Sequence, residues 1–412
     1  MKKLLALVLT ALLCLTAFAA LAQDLKVGVI LVGDETEGYT LAHMEGIKEA
    51  AAAVGLTDAQ LVWKYTIPED QTCYDNALDL VGQGCNLIVS NSYGHQYYMV
   101  QAAEEFPDVT FVSMTGDFAA VCGLDNFKNA FTNIYEARYV SGVVAGLKVA
   151  ELLENGTLTP DKVPGAFDAD GNVKIGYVGA FPYAEVVSGY TAFFLGIRSI
   201  VPNVAMEVSY TNSWFDIDKE AAAAEALVAN GCVIIGQHAD STGAPAAVQK
   251  LLDAGTIAYS VGYNIDMLPT APTAALTSPT NTWAVYYTEL FTAALNGEEI
   301  PTDWAKGFSD DAVAITDLGP SAAAGSAEKV AEIIAGIKDG SVKVFDASAF
   351  TVGGEAVTSH TFDSTIIDFA TGSVTYEGTQ YEAIVDGAFD ESTFRSAPYF
   401  DLRIDGITED AQ

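Results

Sequence analysis

The chain has 412 residues, half of them apolar, and a formal net charge of −35 at pH 7. A chain of this length can bury a large core and is expected to form more than one domain. Because so acidic a surface repels nucleic acids and anionic membranes, both are poor candidates for partners.

The first predicted element is an amino-terminal signal peptide over residues 1–22. Two lysines precede an apolar run that ends in Ala-Leu-Ala, the pattern that a signal peptidase recognises. We therefore expect an exported protein, in the periplasm or at the cell surface. Cys14 leaves a lipid anchor open, although Leu13 stands where a lipoprotein signal has a small residue. No later stretch is long and apolar enough to span a bilayer.

Short apolar strands then alternate with helices along the chain. Helical periodicity predicts helices at 40–54, 72–81 and 220–229, among others. This alternation is typical of parallel sheets covered by helices on both faces. The predicted strands lie at 26–32, 61–65, 86–90, 109–114 and 130–133 in the first half, and at 174–179, 204–210, 233–236, 256–261 and 273–277 in the second.

The two halves repeat each other. ALDLVGQGCNLIVSNSY at 77–93 aligns with AEALVANGCVIIGQHAD at 224–240, and TFVSMTGD at 110–117 aligns with IAYSVGYN at 257–264 at the same spacing. Two copies of so long a unit indicate two similar lobes, and not a solenoid. The sequence therefore predicts an α/β protein with two Rossmann-like parallel-sheet lobes. Cys85 and Cys232 are equivalent in the repeat, which favours small buried residues over disulfide partners.

The chain is expected to cross between the lobes several times. We predict a hinge near 133–136 and 277–281, with a third crossing within 307–319. Residues 346–412 carry short strand and turn patterns, to which the sequence assigns no function. The predicted domains are lobe I (23–133 plus 280–306), lobe II (134–279 plus 307–345) and a C-terminal β-rich extension (346–412).

Aromatic residues occur in loops where small polar residues are usual. Tyr39 follows the first strand of the first copy, and Trp214 and Phe215 follow the second strand of the second copy. Ligands of open parallel sheets bind beyond the carboxyl ends of the strands, and rings on facing lobes can sandwich a flat ligand. Such a ring can instead cap the core of its own lobe. We favour that interpretation for Phe215, and the cleft for Tyr39 and Trp214.

Polar residues at the same strand ends are further candidates for ligand contacts. Carboxylates commonly accept hydrogen bonds from sugar hydroxyls, although any one acid can simply be a solvated loop residue. The cysteine and histidine spacings match no metal-binding pattern, so we expect neither a metal nor another cofactor. The candidates are Asn91, Tyr93 and Asp117 in the first lobe and His238, Asp240, Asn264 and Asp266 in the second.

Several motifs occur in a fixed order: NAFTNIYEARYVSGVVAG, KIGYVGAFPYAEVVSGYTAFFLGIRSIVP, YTNSWFDIDKEAA and GCVIIGQHADSTGAP. Together they resemble the basic membrane protein family, whose members are PnrA-like substrate-binding proteins of ABC importers. The resemblance extends from residue 25 to about residue 345. It implies a type I periplasmic binding protein fold with a hinge and a cleft between the lobes.

The resemblance also implies roles for particular residues. Nucleoside-binding members stack the base between two aromatic rings, which correspond to Tyr39 and Trp214. Thr40 stands where most members have Asn. Asn264 stands where an Asp binds the ribose hydroxyls, with Asp266 close by. Because the stacking residues are kept while the polar contacts differ, we expect a flat heteroaromatic, nucleoside-like ligand.

The leading functional hypothesis is an extracytoplasmic solute-binding protein of an ABC importer. It would bind its small-molecule ligand as a monomer, without catalysis, and deliver it to a membrane permease. One alternative is a ligand-sensing receptor subunit, which shares the fold. Another is a nucleoside or glycoside hydrolase, with Asp117, Asp240 and Asp266 supplying acid and base.

Overall fold

The computed structural model describes residues 25–367 and 373–410. The predicted signal peptide and Cys14 lie outside the described residues. The strands that form the two large sheets and the connection between them are β1 (Val27–Ile30), β2 (Leu61–Lys64), β3 (Leu87–Ser90), β4 (Thr110–Met114), β5 (Phe127–Thr132), β6 (Val173–Gly179), β7 (Val204–Tyr210), β8 (Ile234–Gln237), β9 (Tyr259–Val261), β10 (Pro279–Asn281), β11 (Asp303–Lys306) and β12 (Val313–Ile315).

Helices alternate with these strands, as the periodicity predicts. They are α1 (Gly38–Val54), α2 (Gln71–Gly82), α3 (Gln96–Glu105), α4 (Ala119–Cys122), α5 (Ile134–Glu154), α6 (Ala184–Arg198), α7 (Ile217–Ala229), α8 (Gly243–Asp253), α9 (Trp283–Asn296) and α10 (Ser326–Asp339). Among the described residues, no helix is both long enough and apolar enough to cross a bilayer.

The first sheet has six strands in the order β11-β5-β4-β3-β1-β2. All its pairings are parallel. Every residue of β1, β3 and β5 is buried, because helices cover both faces of the sheet. The late strand β11 pairs with β5 through Trp304↔Ala130, so the chain returns to the first sheet after completing most of the second.

The second sheet has five strands in the order β21-β7-β6-β8-β9, where β21 is Ile407–Glu409. Its pairings are parallel as well. Two parallel sheets with flanking helices confirm the predicted α/β class and the two-lobed fold. Cys85 and Cys232 are both buried, and neither is part of a disulfide.

The predicted strand at 273–277 is wrong. Ser260 N–H donates to the Ala274 carbonyl and Leu276 N–H donates to the Ser260 carbonyl, which is the start of a parallel ladder. Gly262 N–H then donates to the Thr277 carbonyl and skips that of Leu276. Register is lost at that step, so only an isolated bridge between Ser260 and Ala275 forms.

Between the two sheets the chain forms an antiparallel pair of short strands and a close pair of helices. β10 pairs with β12 through Pro279↔Ile315 and Asn281↔Val313. Helices α5 and α6 approach at Gly142, where a Cβ would clash with the Phe193 carbonyl oxygen. Glycine is therefore required at this crossing, because any side chain would force the helices apart.

The C-terminal extension consists mainly of short antiparallel hairpins that end in β21. Its hairpin strands are β13 (Thr351–Val352), β14 (Glu355–Ala356), β15 (Thr361–Asp363), β16 (Ile366–Ile367), β17 (Val374–Tyr376), β18 (Gln380–Glu382), β19 (Ile384–Val385) and β20 (Ala388–Phe389). Strand β21 differs from them, because it joins the edge of the second sheet beside β7. The sequence pattern of the extension did not indicate this attachment.

Candidate functional site

Loops from the carboxyl ends of both sheets enclose a cleft with two adjoining chambers. The inner chamber has a volume of about 40 Å³ and the outer one about 250 Å³. The two chambers are contiguous, since Tyr93, Thr115, Glu185 and Trp214 line both. The cleft therefore narrows from the outer chamber to a slot between the lobes, as expected for the carboxyl ends of parallel strands.

Aromatic rings form two sides of the inner chamber. Tyr39 lies in the first turn of α1, its hydroxyl 3.2 Å from Thr115 Oγ1 and its ring edge-on to His43. Trp214 lies between the end of β7 and Asp216, the residue that caps α7 by accepting a hydrogen bond from Lys219 N–H. The Trp214 ring meets Phe181 edge-on at 5.1 Å. The two lobes thus each bring one predicted aromatic to the slot.

Glu37 contributes a buried carboxylate beside Tyr39. It accepts a hydrogen bond from Thr40 Oγ1, which in turn accepts one from Asn91 Nδ2 at 3.0 Å. Asn91 Oδ1 is held by Val32 N–H at 2.8 Å. Burial raises the pKa of Glu37, against the opposing effect of the Thr40 hydrogen bond. Thr40 lies behind the wall of the chamber, where it positions Glu37 and Asn91.

A second acid, Asp240, faces the chamber from the other lobe. Asn264 Nδ2 donates to Asp240 Oδ1 at 2.6 Å, and Asn281 Nδ2 donates to Asn264 Oδ1 at 3.2 Å. Burial raises the pKa of Asp240 well above its usual value, and the nearby carboxylates of Glu37 and Glu220 add to this effect. Asn264 therefore does not line the chamber itself, but it holds Asp240, which does.

His238 links the cleft to the interior of the second lobe. Its Nε2 lies 2.7 Å from Glu185 Oε2, and its Nδ1 lies 3.3 Å from the Tyr177 hydroxyl. Burial lowers the pKa of His238, and the Arg138 guanidinium lowers it further despite the carboxylate. We therefore assign a neutral imidazole that donates from Nε2 to Glu185. The Arg138 guanidinium stacks 3.6 Å from the centre of the Tyr263 ring.

Asp117 and Tyr93 lie in the outer chamber. The Tyr93 hydroxyl donates to Asp117 Oδ2 at 3.3 Å, and Gln96 Nε2 donates to Asp117 Oδ1 at 3.0 Å. Arg395 of the extension pairs with Asp117, with 2.9 Å between Nη1 and Oδ2. The carboxylate is therefore neutralised by a cation from a distant part of the sequence.

Asp266 differs from the other predicted site residues. It is exposed, and its carboxylate accepts the Leu268 N–H at 2.9 Å. The side chain thus caps its own turn and does not line either chamber. Phe215 does not line either chamber. Within the described ranges, no three histidine, cysteine, aspartate or glutamate side chains are grouped so as to hold a metal ion.

Sequence reasoning missed several residues that line the cleft. Glu37 and Glu185 follow β1 and β6, so the rule that found Tyr39 could have found them. Tyr263 precedes Asn264 at another strand end. No sequence signal indicated Arg395, because only the folded chain brings it to Asp117.

Comparison with known proteins identifies the family of the chain. Residues 25–344 match the family described as ABC transporter substrate-binding protein PnrA-like. The chain is 34% identical over 276 residues to a purine-binding protein of Brucella abortus (strain 2308), covering 67% of this chain and 70% of that protein. It is 30% identical over 318 residues to a candidate ABC transporter glucose-binding protein of Haloferax volcanii, covering 76% and 72%.

A solved structure shares the fold. An ABC transporter solute-binding protein of Aeropyrum pernix K1 superposes with a TM-score of 0.62 at 16% identity, covering 78% of this chain and 93% of that chain. The resemblance noted in the sequence is therefore confirmed. By its family match and its 34% identity to the Brucella abortus protein, the chain belongs to the family of PnrA-like ABC transporter substrate-binding proteins.

Proposed function

We propose that this protein binds a nucleoside-like, flat heteroaromatic ligand in the cleft and delivers it to an ABC permease. The observation that carries the proposal is the placement of Tyr39 and Trp214, one from each lobe, on the same narrow slot. Aromatic side chains that line a narrow slot can stack on a flat π-system. Ligand held between the lobes also stabilises their closed arrangement, which a permease can recognise.

The polar groups of the slot favour a ligand rich in N–H donors. Glu37, Glu185 and Asp240 line the inner chamber, and among its described lining residues there is neither lysine nor arginine. Carboxyl oxygens accept hydrogen bonds from ring N–H and exocyclic amino groups. A phosphate group would meet carboxylates without a balancing cation. A purine base or nucleoside therefore fits better than a nucleotide.

One of the two relatives supports the same ligand class. The Brucella abortus relative is named as purine-binding, and the Haloferax volcanii relative as a candidate for glucose binding. The aromatic slot favours the first of these for our chain. Export would follow from the predicted signal peptide at 1–22, which places the cleft outside the cytoplasm. A tether through Cys14 would instead require cleavage just before that residue. The alternative of a sensing subunit would use the same cleft.

Thermal unfolding of the mature protein, residues 23–412, tests the proposal. The panel comprises adenine, hypoxanthine, adenosine, guanosine, riboflavin and glucose. A ligand at a hundred times its Kd should stabilise the fold by about 2.7 kcal/mol, an easily measured rise in Tm. We expect that rise with purines or nucleosides, and we expect each compound to be recovered unchanged.

Trp214→Ala should abolish the rise in Tm, because one face of the slot is lost. Trp63→Ala is the matched control, since Trp63 stacks on Tyr65 at the edge of the first sheet, away from the cleft. The control should keep the ligand-induced rise even if its own Tm is lower. Stabilisation by glucose alone would overturn the heteroaromatic ligand, and conversion of a panel compound would favour the hydrolase.

A further inference from the structure

The C-terminal extension (346–412) follows directly after the family match, which ends at residue 344. It is fixed to the second lobe in two ways. Strand β21 pairs with β7 through Ile407↔Met206 and Thr408↔Glu207. Phe389, Tyr399 and Phe400 are buried in the same hydrophobic cluster as the core of the second lobe. The extension must therefore move with that lobe when the cleft opens.

The same extension also contacts the first lobe. Arg395 pairs with Asp117, and Ser396 donates two hydrogen bonds of 2.8 Å to Asp303 Oδ1, one from its N–H and one from its Oγ. Asp303 is the first residue of β11 in the first sheet. Further along the surface, Tyr376 packs edge-on against Phe118 at 5.2 Å. The extension thus bridges the two lobes beside the cleft.

We propose that this extension forms the outer wall of the ligand cleft, and that Arg395 determines how long a ligand is retained and what substituent it can carry. The inference rests on the proposed function in one respect, that the cleft holds the ligand. Arg395, Ala397 and Pro398 line the outer chamber opposite Tyr183 and Trp214. A group attached to a ring in the slot would project into this chamber.

The guanidinium of Arg395 is held in place before any ligand arrives. Its Nε donates to the Ala397 carbonyl at 3.2 Å, and its Cζ lies 5.0 Å from the centre of the Phe362 ring. The side chains of Arg395 and Asp117 are only 11% and 6% exposed. A pair this well buried is little screened by salt, and separating the lobes would break it. The pair therefore stabilises the closed cleft.

The charged side chains of the outer chamber determine which substituent on the ligand's ring can be accommodated there. Arg395 is already committed to Asp117, and the carboxylate of Glu185 faces the same space. A phosphate would have to displace Asp117 and approach Glu185. A neutral hydroxylated substituent can instead hydrogen-bond to both members of the ion pair and to Tyr93 or Tyr183. The chamber thus selects a base with a neutral polyol substituent over its phosphorylated form.

The test uses the mature chain with Arg395→Ala, Arg395→Lys and Asp117→Asn. Arg403→Ala is the matched control, because Arg403 makes a 2.9 Å ion pair with Glu409 in the same extension but away from the cleft. Adenosine dissociation is measured by stopped-flow Trp fluorescence. We expect about tenfold faster release from Arg395→Ala, equivalent to about 1.4 kcal/mol, an intermediate rate from Arg395→Lys, and an unchanged rate from Arg403→Ala.

A second measurement needs no ligand. Small-angle scattering of the free protein should show a larger radius of gyration for Arg395→Ala and Asp117→Asn than for the wild type and Arg403→Ala. An unchanged radius in both cleft variants would overturn the inference, whatever the wild type binds. Equal release rates from Arg395→Ala and Arg403→Ala would also overturn it. If the wild type binds no panel compound, the proposed function fails while the scattering still decides the role of the extension.

Discussion

The two lobes differ in how they accommodate an acidic side chain beside the cleft. Asp117 and Asn264 are equivalent in the repeat, and so are Tyr93 and Asp240, so each lobe has an acid at one of these two paired positions beside the cleft. In the first lobe, Arg395 neutralises the acid as an ion pair. In the second lobe, Asp240 has an amide partner and its pKa is raised by burial. Two lobes with the same backbone arrangement can therefore carry different polar residues in their equivalent loops.

The largest expected effect is on the ion pair. Asp117→Ala leaves the guanidinium of Arg395 largely buried without its counter-ion, and should lower the free energy of unfolding by about 3 kcal/mol. Urea unfolding monitored by circular dichroism measures the change. Asp79→Ala removes the acid of the exposed Lys64 pair and should have a much smaller effect. Equal losses in the two variants would contradict the comparison.

A smaller effect is expected at Glu220, another acid of the second lobe, which forms no ion pair with any of the described residues. Burial raises its pKa to about 7, although it accepts the Ser241 N–H. The folded state therefore binds more protons than the unfolded state between about pH 4.5 and 7, and stability falls as pH rises through this window. Glu220→Gln should remove up to about 2 kcal/mol of this fall. Tm measured from pH 4.5 to 8 tests it, and parallel profiles for wild type and variant would refute it.

The smallest effect is expected at Asp240. Asp240→Asn keeps the oxygen that accepts from Asn264 Nδ2, and it removes a carboxyl whose ionisation is disfavoured by burial. We expect a change within about 1 kcal/mol in the free energy of unfolding, with the variant gaining on the wild type as pH rises. Urea unfolding at pH 5 and pH 8 provides the measurement. A loss as large as that of Asp117→Ala would mean that Asp240 is an ionised, compensated carboxylate.

Much of the fold could be predicted from hydrophobic periodicity and from the internal repeat. Val27–Ile30 and Ile234–Gln237 were predicted within two residues, because buried parallel strands are short continuous apolar runs. The run at 273–277 was also predicted as a strand but loses register against β9, which no local pattern reveals. The rule of strand carboxyl ends singled out Tyr39 and Trp214, which line the same chamber although Tyr39 lies in the first turn of α1 and not in a loop, and their role in binding stays a prediction.

The sequence alone was sufficient for most of the secondary structure and for the short set of segments at the strand ends, because these depend on residues close together along the chain. It was also sufficient for the two similar lobes, because the repeat can be read by comparing the sequence with itself. The attachment of β21 to β7, the turn-capping position of Asp266 and the pairing of Arg395 with Asp117 came only from the folded molecule. Contacts between residues hundreds of positions apart, such as Arg395 with Asp117, depend on how whole elements pack, and a single sequence carries no periodic signal for that packing.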